Sequence, residues 1–101
     1  METPSSPLAI QQEEIRHHGA FFVTRDGERL GEMVYTRQDA THITVVHTEV
    51  SDKLRGMGVA RKLLDALVAW ARDTKTRVHA TCPYAKAQFE KDASIQDVYE
   101  R

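Results

Sequence analysis

The segment Val50-Ser51-Asp52-Lys53-Leu54-Arg55-Gly56-Met57-Gly58-Val59-Ala60 constrains this chain more than any other. It joins an apolar, β-branched run to the most regularly helical stretch in the sequence. Gly56 and Gly58 carry no Cβ, so the backbone there can turn tightly, adopt left-handed conformations and come close to a ligand. A helix starting after them has its first N–H groups unpaired and a partial positive charge at its N-terminus, which favours an anion and above all a pyrophosphate. Arg55, at the mouth of the turn, can add a side-chain charge to the same anion.

Two well-known phosphate loops do not fit. A nucleoside triphosphate loop needs Lys and then Ser or Thr after its last glycine, whereas Gly58 is followed by Val59-Ala60. A dinucleotide fingerprint needs a third glycine where Arg61 stands, and no alternating strand and helix series surrounds it. The bland alternative is a tight strand-to-helix connection with no ligand.

The elements around the loop follow from local pattern. Ala20 to Thr24 is an aromatic and β-branched run stopped by Asp26-Gly27, a hairpin signal. Arg29 to Thr36 alternates as a strand, with Leu30, Glu32 and Val34 on one side and Met33 and Tyr35 on the other. Polar residues Arg37 to Thr41 make the next turn, and His42 to Val50 is a third strand, so the first half reads as an antiparallel meander. Ile10 to Ile15 is Gln and Glu between apolar ends, a pattern compatible with more than one state. After the loop, Ala60, Leu63, Leu64, Leu67, Val68 and Ala71 recur at helical spacing and form one apolar face. Arg61, Lys62, Asp65, Arg72 and Asp73 lie off it on a solvated face, and Trp70 falls at its border as core edge. Arg77 to Thr81 reads as a short strand; a strand, crossover helix and strand in one sheet run parallel, so the sheet becomes mixed. Cys82-Pro83 ends that strand, and Tyr84 to Lys91 is a short helix with Ala85 and Phe89 inward. Ser94 to Tyr99 fits a helical turn or an edge strand.

Several side chains can carry chemistry. Strand alternation puts His47 and Glu49 on one face, where either could take a proton; the alternative is a solvated strand end. Cys82 stands at a helix N-terminus, where the macrodipole favours a thiolate able to carry an acyl group; the alternative is a small buried residue at a strand end. The spacings of His17, His18, His42 and His79 match no zinc pattern, and no metal is expected.

The R-x-x-G-x-A pattern in the loop, after a strand ending in Val50 and before a long helix, resembles the acetyl-coenzyme A pyrophosphate loop of the GNAT superfamily of N-acetyltransferases. With His47-Thr48-Glu49-Val50 before it and Cys82-Pro83-Tyr84 after it, the chain is similar to a compact, single-domain GNAT-like family over about Phe21 to Tyr99. The resemblance implies an α/β (α+β) fold: a mixed, mostly antiparallel sheet with a crossover helix and one or two short C-terminal helices. It implies acetyl-coenzyme A as acyl donor, bound by Val50 and by Arg55, Gly56, Met57, Gly58, Val59 and Ala60, with the backbone N–H near Val50 on the thioester oxygen. It also implies an acetyl acceptor amine that the family leaves undefined. Cys82, Glu49, His47 and Tyr84 are the catalytic candidates; Tyr84 resembles the tyrosine that protonates the departing thiolate in many such enzymes. The chain is too short for the N-terminal helices that commonly shape an acceptor pocket, so an open site suited to a protein or peptide side chain, or one completed by dimerisation, is expected. A coenzyme A or acyl-coenzyme A binding or sensing module without turnover is the alternative function.

Length and composition bound this reading. The 101 residues make one domain, expected over 9–101 after a Pro- and Ser-containing tail at 1–8. With 41% hydrophobic and 29% charged residues, a membrane span is not expected, and a net charge of −1 gives no electrostatic reason for nucleic acid. One cysteine makes no internal disulfide, and with no apolar leader after Met1 the expected location is the cytoplasm, as monomer or homodimer.

Overall fold

The computed structural model describes residues 8–101. The tail expected over residues 1–8 lies outside the described residues except for Leu8, which is half-buried against the core. Five strands form one sheet in the order β1-β2-β3-β4-β5: β1 Ile10–Ile15, β2 His18–Arg25, β3 Glu28–Asp39, β4 His42–Val50 and β5 Arg77–Ala80. Neighbours from β1 to β4 are antiparallel, and β5 joins β4 in parallel after helix α1, Val59–Thr74. Helix α2, Pro83–Lys91, and a 3₁₀ segment, Ala93–Val98, complete the chain. The mixed, mostly antiparallel sheet with a crossover helix is therefore as expected. No helix among the described residues is long and apolar enough to cross a membrane.

Local chemistry explains most boundaries. Asp26 (φ 53°) and Gly27 (φ 80°) both occupy the left-handed region, the requirement of the tight hairpin between β2 and β3. Helix α1 buries Val59, Leu63, Leu64, Leu67, Val68 and Ala71 and stops at Lys75, which takes a left-handed cap conformation. Its buried stripe begins at Val59, and Ala60, which the periodicity placed on that face, is only half-buried. Ala85 and Phe89 face inward from α2 as expected. Trp70 lies at the core edge, its ring 5.7 Å from Phe21 and 5.6 Å from Tyr35.

Three local readings are corrected. Leu30 does not share a side with Glu32 and Val34: β2 pairs Val23 with Gly31 and Thr24 with Arg29, so Leu30 is the extra residue of a bulge and turns into the core. The segment Arg37 to Thr41 is not all turn, since β3 continues to Asp39 with a second irregularity between Arg37 and Asp39. Arg61 is not merely solvated: its guanidinium bonds Asp65 (2.9 Å), Gln88 (2.8 Å) and Asp92, tying the start of α1 to α2. The ambiguous Ile10 to Ile15 is an edge strand. Ser94 to Tyr99 shows both forms weighed for it, a 3₁₀ segment followed by a parallel bridge from Tyr99 to Val78.

The helices cover one face of the sheet, where Phe21, Val23, Met33, Tyr35, Ile43 and Val45 are buried in a single core. Side chains of the opposite face, among them Phe22, Glu32, Val34, His47 and Glu49, are half-buried or exposed. That uncovered face positions half of the site.

Candidate active site

Two features meet along β4: a loop of free N–H groups at its end, and an edge that β5 leaves open. The loop begins at Ser51, whose N–H donates to the Leu30 carbonyl (2.7 Å) and whose hydroxyl accepts from the Lys53 N–H (3.1 Å). A 3₁₀ turn, Asp52–Leu54, follows and is anchored by the buried Leu54. Gly56 (φ 83°) and Gly58 (φ 65°) are both left-handed, and space is open where a Cβ would stand on either. This is the conformation for which the two glycines were expected. Gly58 is the N-cap of α1, and its carbonyl accepts from the Lys62 N–H at 3.1 Å. Among the described residues the N–H groups of Gly56, Gly58, Val59, Ala60 and Arg61 meet no acceptor, and no acidic residue stands in the first turn. Unpaired donors and the helix dipole thus point the same way. Arg55 stands beside them, highly exposed and paired with Asp52 at 3.0 Å.

The open edge has a simple origin. Pairing between β4 and β5 ends at Val45 opposite Ala80, and the Val45 carbonyl there accepts from both the Thr81 N–H (3.0 Å) and the Cys82 N–H (3.1 Å). Beyond it β4 continues to Val50, paired only with β3. At the same point the β3 register shifts: Tyr35 faces Val45 and Val34 faces His47, leaving Val46 as an extra, exposed residue. A bulge of this kind bends the strand and re-aims the side chains that follow.

The catalytic candidates divide between the two faces. His47 Nε2 lies 3.3 Å from a Glu49 carboxylate oxygen, both side chains exposed on the uncovered face, so the structure brings these two together as expected. Thr48, between them, points the other way, and its hydroxyl lies 3.2 Å from Cys82 Sγ. Cys82 is buried at the N-cap of α2, with Pro83 next in the helix, and is not in the His47 and Glu49 pair. Tyr84, in the first turn of α2, is half-buried; burial pushes its phenol up, and the nearby Arg61 guanidinium pulls the other way.

Two residues of this region were not singled out in the sequence. Glu32 on β3 pairs directly opposite Glu49, and its carboxylate joins His47 and Glu49 in a cluster whose ligand atoms all lie within 4.8 Å of one another. Thr48 was hidden as the middle residue of an alternating strand. Only the register between β3 and β4 brings Glu32 into place, and no local signal encodes it.

Residues 20–98 match the sequence model of the GCN5-related N-acetyl-transferase family. Protein NATD1 of Bos taurus is 28% identical over 99 residues, which are 97% of this chain and 87% of that protein. The solution structure of a GCN5-like protein from Staphylococcus aureus superposes with a TM-score of 0.70 at 39% identity, over 92% of this chain and 88% of that one. A GNAT family acetyltransferase from Elizabethkingia anophelis, solved with acetyl-CoA bound, shares the fold at a TM-score of 0.52 and 16% identity, over 61% and 41% of the two chains. The chain belongs to the GCN5-related N-acetyltransferase family, as the resemblance implied.

Proposed function

We propose that this member of the family is an N-acetyltransferase that takes its acetyl group from acetyl-coenzyme A and passes it directly to an amine at the uncovered sheet face. The observation that carries the reading is continuity: the open edge of β4 runs straight into the loop of free N–H groups. A pyrophosphate on Gly56, Gly58, Val59 and Ala60 would leave the thioester arm to lie back along β4 towards Val46, in place of the missing strand partner.

In this geometry the amine nitrogen attacks the thioester carbonyl carbon; a C–N bond forms and the C–S bond breaks. An alkyl amine with pKa near 10.4 is neutral in only about one molecule in two thousand at pH 7, so a proton acceptor beside it raises the rate. His47 and Glu49 take that proton on the acceptor side, directly or through water. On the sulfur side, the Tyr84 phenol gives a proton to the departing thiolate, while Cys82 and Thr48 line the space beside the sulfur. An open face suits an amine carried on a protein or peptide.

The test is release of free coenzyme A thiol from acetyl-coenzyme A across a panel of primary amines and lysine peptides. Replacing both His47→Ala and Glu49→Gln should lower kcat about 10²- to 10⁴-fold while leaving acetyl-coenzyme A affinity within about twofold. Unchanged turnover in the double variant would remove these residues from the proton path.

A further inference from the structure

We infer that Leu30 and Gly31 on β3 seat the two ends of the coenzyme loop, and that Gly31 is a positioning residue for coenzyme A, a role that rests on the function proposed above. Gly31 touches no ligand. It acts through Val59, whose place over the sheet sets where the free N–H groups of the loop stand.

The loop leaves the sheet and returns to it over neighbouring residues of one strand. At its start the Ser51 N–H donates to the Leu30 carbonyl at 2.7 Å. At its end Val59, the buried first residue of α1, packs over Gly31: a Cβ on Gly31 would stand 3.4 Å from Val59 Cγ1. Both ends are thus referred to a single Cα-to-Cα step of β3, about 3.8 Å. The bulge opposite Val23 and Thr24 pins that step in register, with the Leu30 side chain turned into the core.

Position 31 is glycine for reasons of space and not of backbone. The left-handed glycines are Gly27, Gly56 and Gly58, whereas Gly31 is an ordinary strand residue paired with Val23 on one side and Val50 on the other. A glycine inside a strand weakens it and marks a close approach. Here the approach is that of α1. Gly31 is buried, and a Cβ on it would also meet Val23 Cγ2 at 3.2 Å and the Glu49 carbonyl oxygen at 3.7 Å. A methyl group there requires a small yielding of its neighbours, and γ-carbons must enter space that Val23 and Val59 already fill. Val23 is fixed between two strands, paired with Ile10 and Gly31. Val59 begins a helix with no side-chain cap, and its own N–H meets no acceptor among the described residues. The yielding therefore falls on Val59 and carries the N–H groups of Gly58, Val59 and Ala60 with it. Hydrogen bonds to a charged acceptor weaken steeply when distance and angle change, so a pyrophosphate feels the displacement.

The test is a calorimetric titration of the full chain with coenzyme A, with a thermal melt on every variant. Wild-type protein is titrated first; if it fails to bind, the proposed function falls and this role of Gly31 with it. Where it binds, Gly31→Val should weaken coenzyme A by about tenfold or more, the worth of one hydrogen bond to a charged group, and Gly31→Ala by about threefold. Adding Val59→Ala to Gly31→Val removes the Cγ1 that the new side chain meets, and affinity should return to within about threefold of Val59→Ala alone. Gly19→Ala crowds the buried Tyr35 ring instead, so it should lower the melt and leave coenzyme A affinity within about twofold. Wild-type affinity in a folded Gly31→Val overturns the inference while sparing the coenzyme site. A loss that Val59→Ala fails to reverse, or an equal loss in Gly19→Ala, overturns it too, because Gly31 would then serve stability alone. Should Gly31→Val fail to fold, Gly31→Ala decides: weakening reversed by Val59→Ala supports the role, and binding equal to wild type ends it.

Discussion

Thr48 Oγ1 lies 3.2 Å from Cys82 Sγ, just past the point where the β4 and β5 ladder ends at Val45 and Ala80. Because strand side chains alternate, that contact puts Thr48 and Cys82 on the helix-covered face, with His47 and Glu49 on the other. In direct transfer the thiol is a neighbour of the reaction and not a carrier. Cys82→Ala should therefore keep turnover within about tenfold at saturating acceptor. Loss of turnover together with an acetylated Cys82 trapped by acid quench in the wild-type protein would establish a covalent route instead.

Much of this was readable from the chain because its causes are local. The Asp26-Gly27 hairpin, the α1 stripe, the Cys82-Pro83 start of α2 and the glycine loop each depend on neighbouring residues and backbone preference. The pairing of His47 with Glu49 on one face needs only alternation over three residues. What could not be read depends on partners distant in sequence. Leu30 and Val46 are bulge residues because of what β2 and β3 place opposite them. The polar Gln-Gln-Glu-Glu run becomes a strand because Tyr35 and Arg37 bond Glu14 and because β2 supplies a ladder. Glu32 enters the site by the same kind of non-local register.

Gly19 is required by Tyr35. A Cβ on Gly19 would stand 2.3 Å from Tyr35 Cζ, against a ring that is fully buried and cannot swing aside. Gly19→Ala should destabilise the fold by about 2–3 kcal/mol, as overpacking does at its upper range, and a thermal melt should fall by roughly 8 °C or more. Gly27→Ala, with open space around its Cβ, should cost only about 1 kcal/mol from its left-handed backbone.

The edge strand should loosen in acid. The Arg37 guanidinium holds the Glu14 carboxyl below its ordinary value of 4.5, helped by the Tyr35 hydroxyl and opposed by partial burial. A depressed carboxyl contributes stability in full above its unfolded value, and that contribution is lost as pH falls through the lower folded value. Protection factors of the β1 amides against hydrogen exchange should therefore fall below about pH 4.5 before those of the α1 amides respond. The Tyr35 phenol is pushed up to about 12 by burial and by Glu14, so its contribution is present below pH 10 and is lost as pH climbs towards 12.

Arg61 couples the two helices at the site. Its bonds to Asp65, Gln88 and Asp92 fix α2, which carries Cys82 at its cap and Tyr84 in its first turn, against the start of α1. Arg61→Gln should lower kcat more than it changes acetyl-coenzyme A affinity, because the backbone donors of the loop are untouched while Tyr84 loses its fixed position. Steady-state kinetics with a parallel binding titration would show the split; equal losses in both would place Arg61 on the coenzyme.

The most direct test is a calorimetric titration of the purified protein with acetyl-coenzyme A and with coenzyme A, repeated on Gly58→Glu. Gly58 is left-handed with open space before it, so the substitution adds both backbone strain and a negative charge where the pyrophosphate is placed. The expected result is saturable binding of both ligands by the wild-type protein and at least tenfold weaker binding by a folded Gly58→Glu. Absence of binding by the folded wild-type protein, or equal affinity in the variant, would contradict it and return the two glycines to the role of a turn.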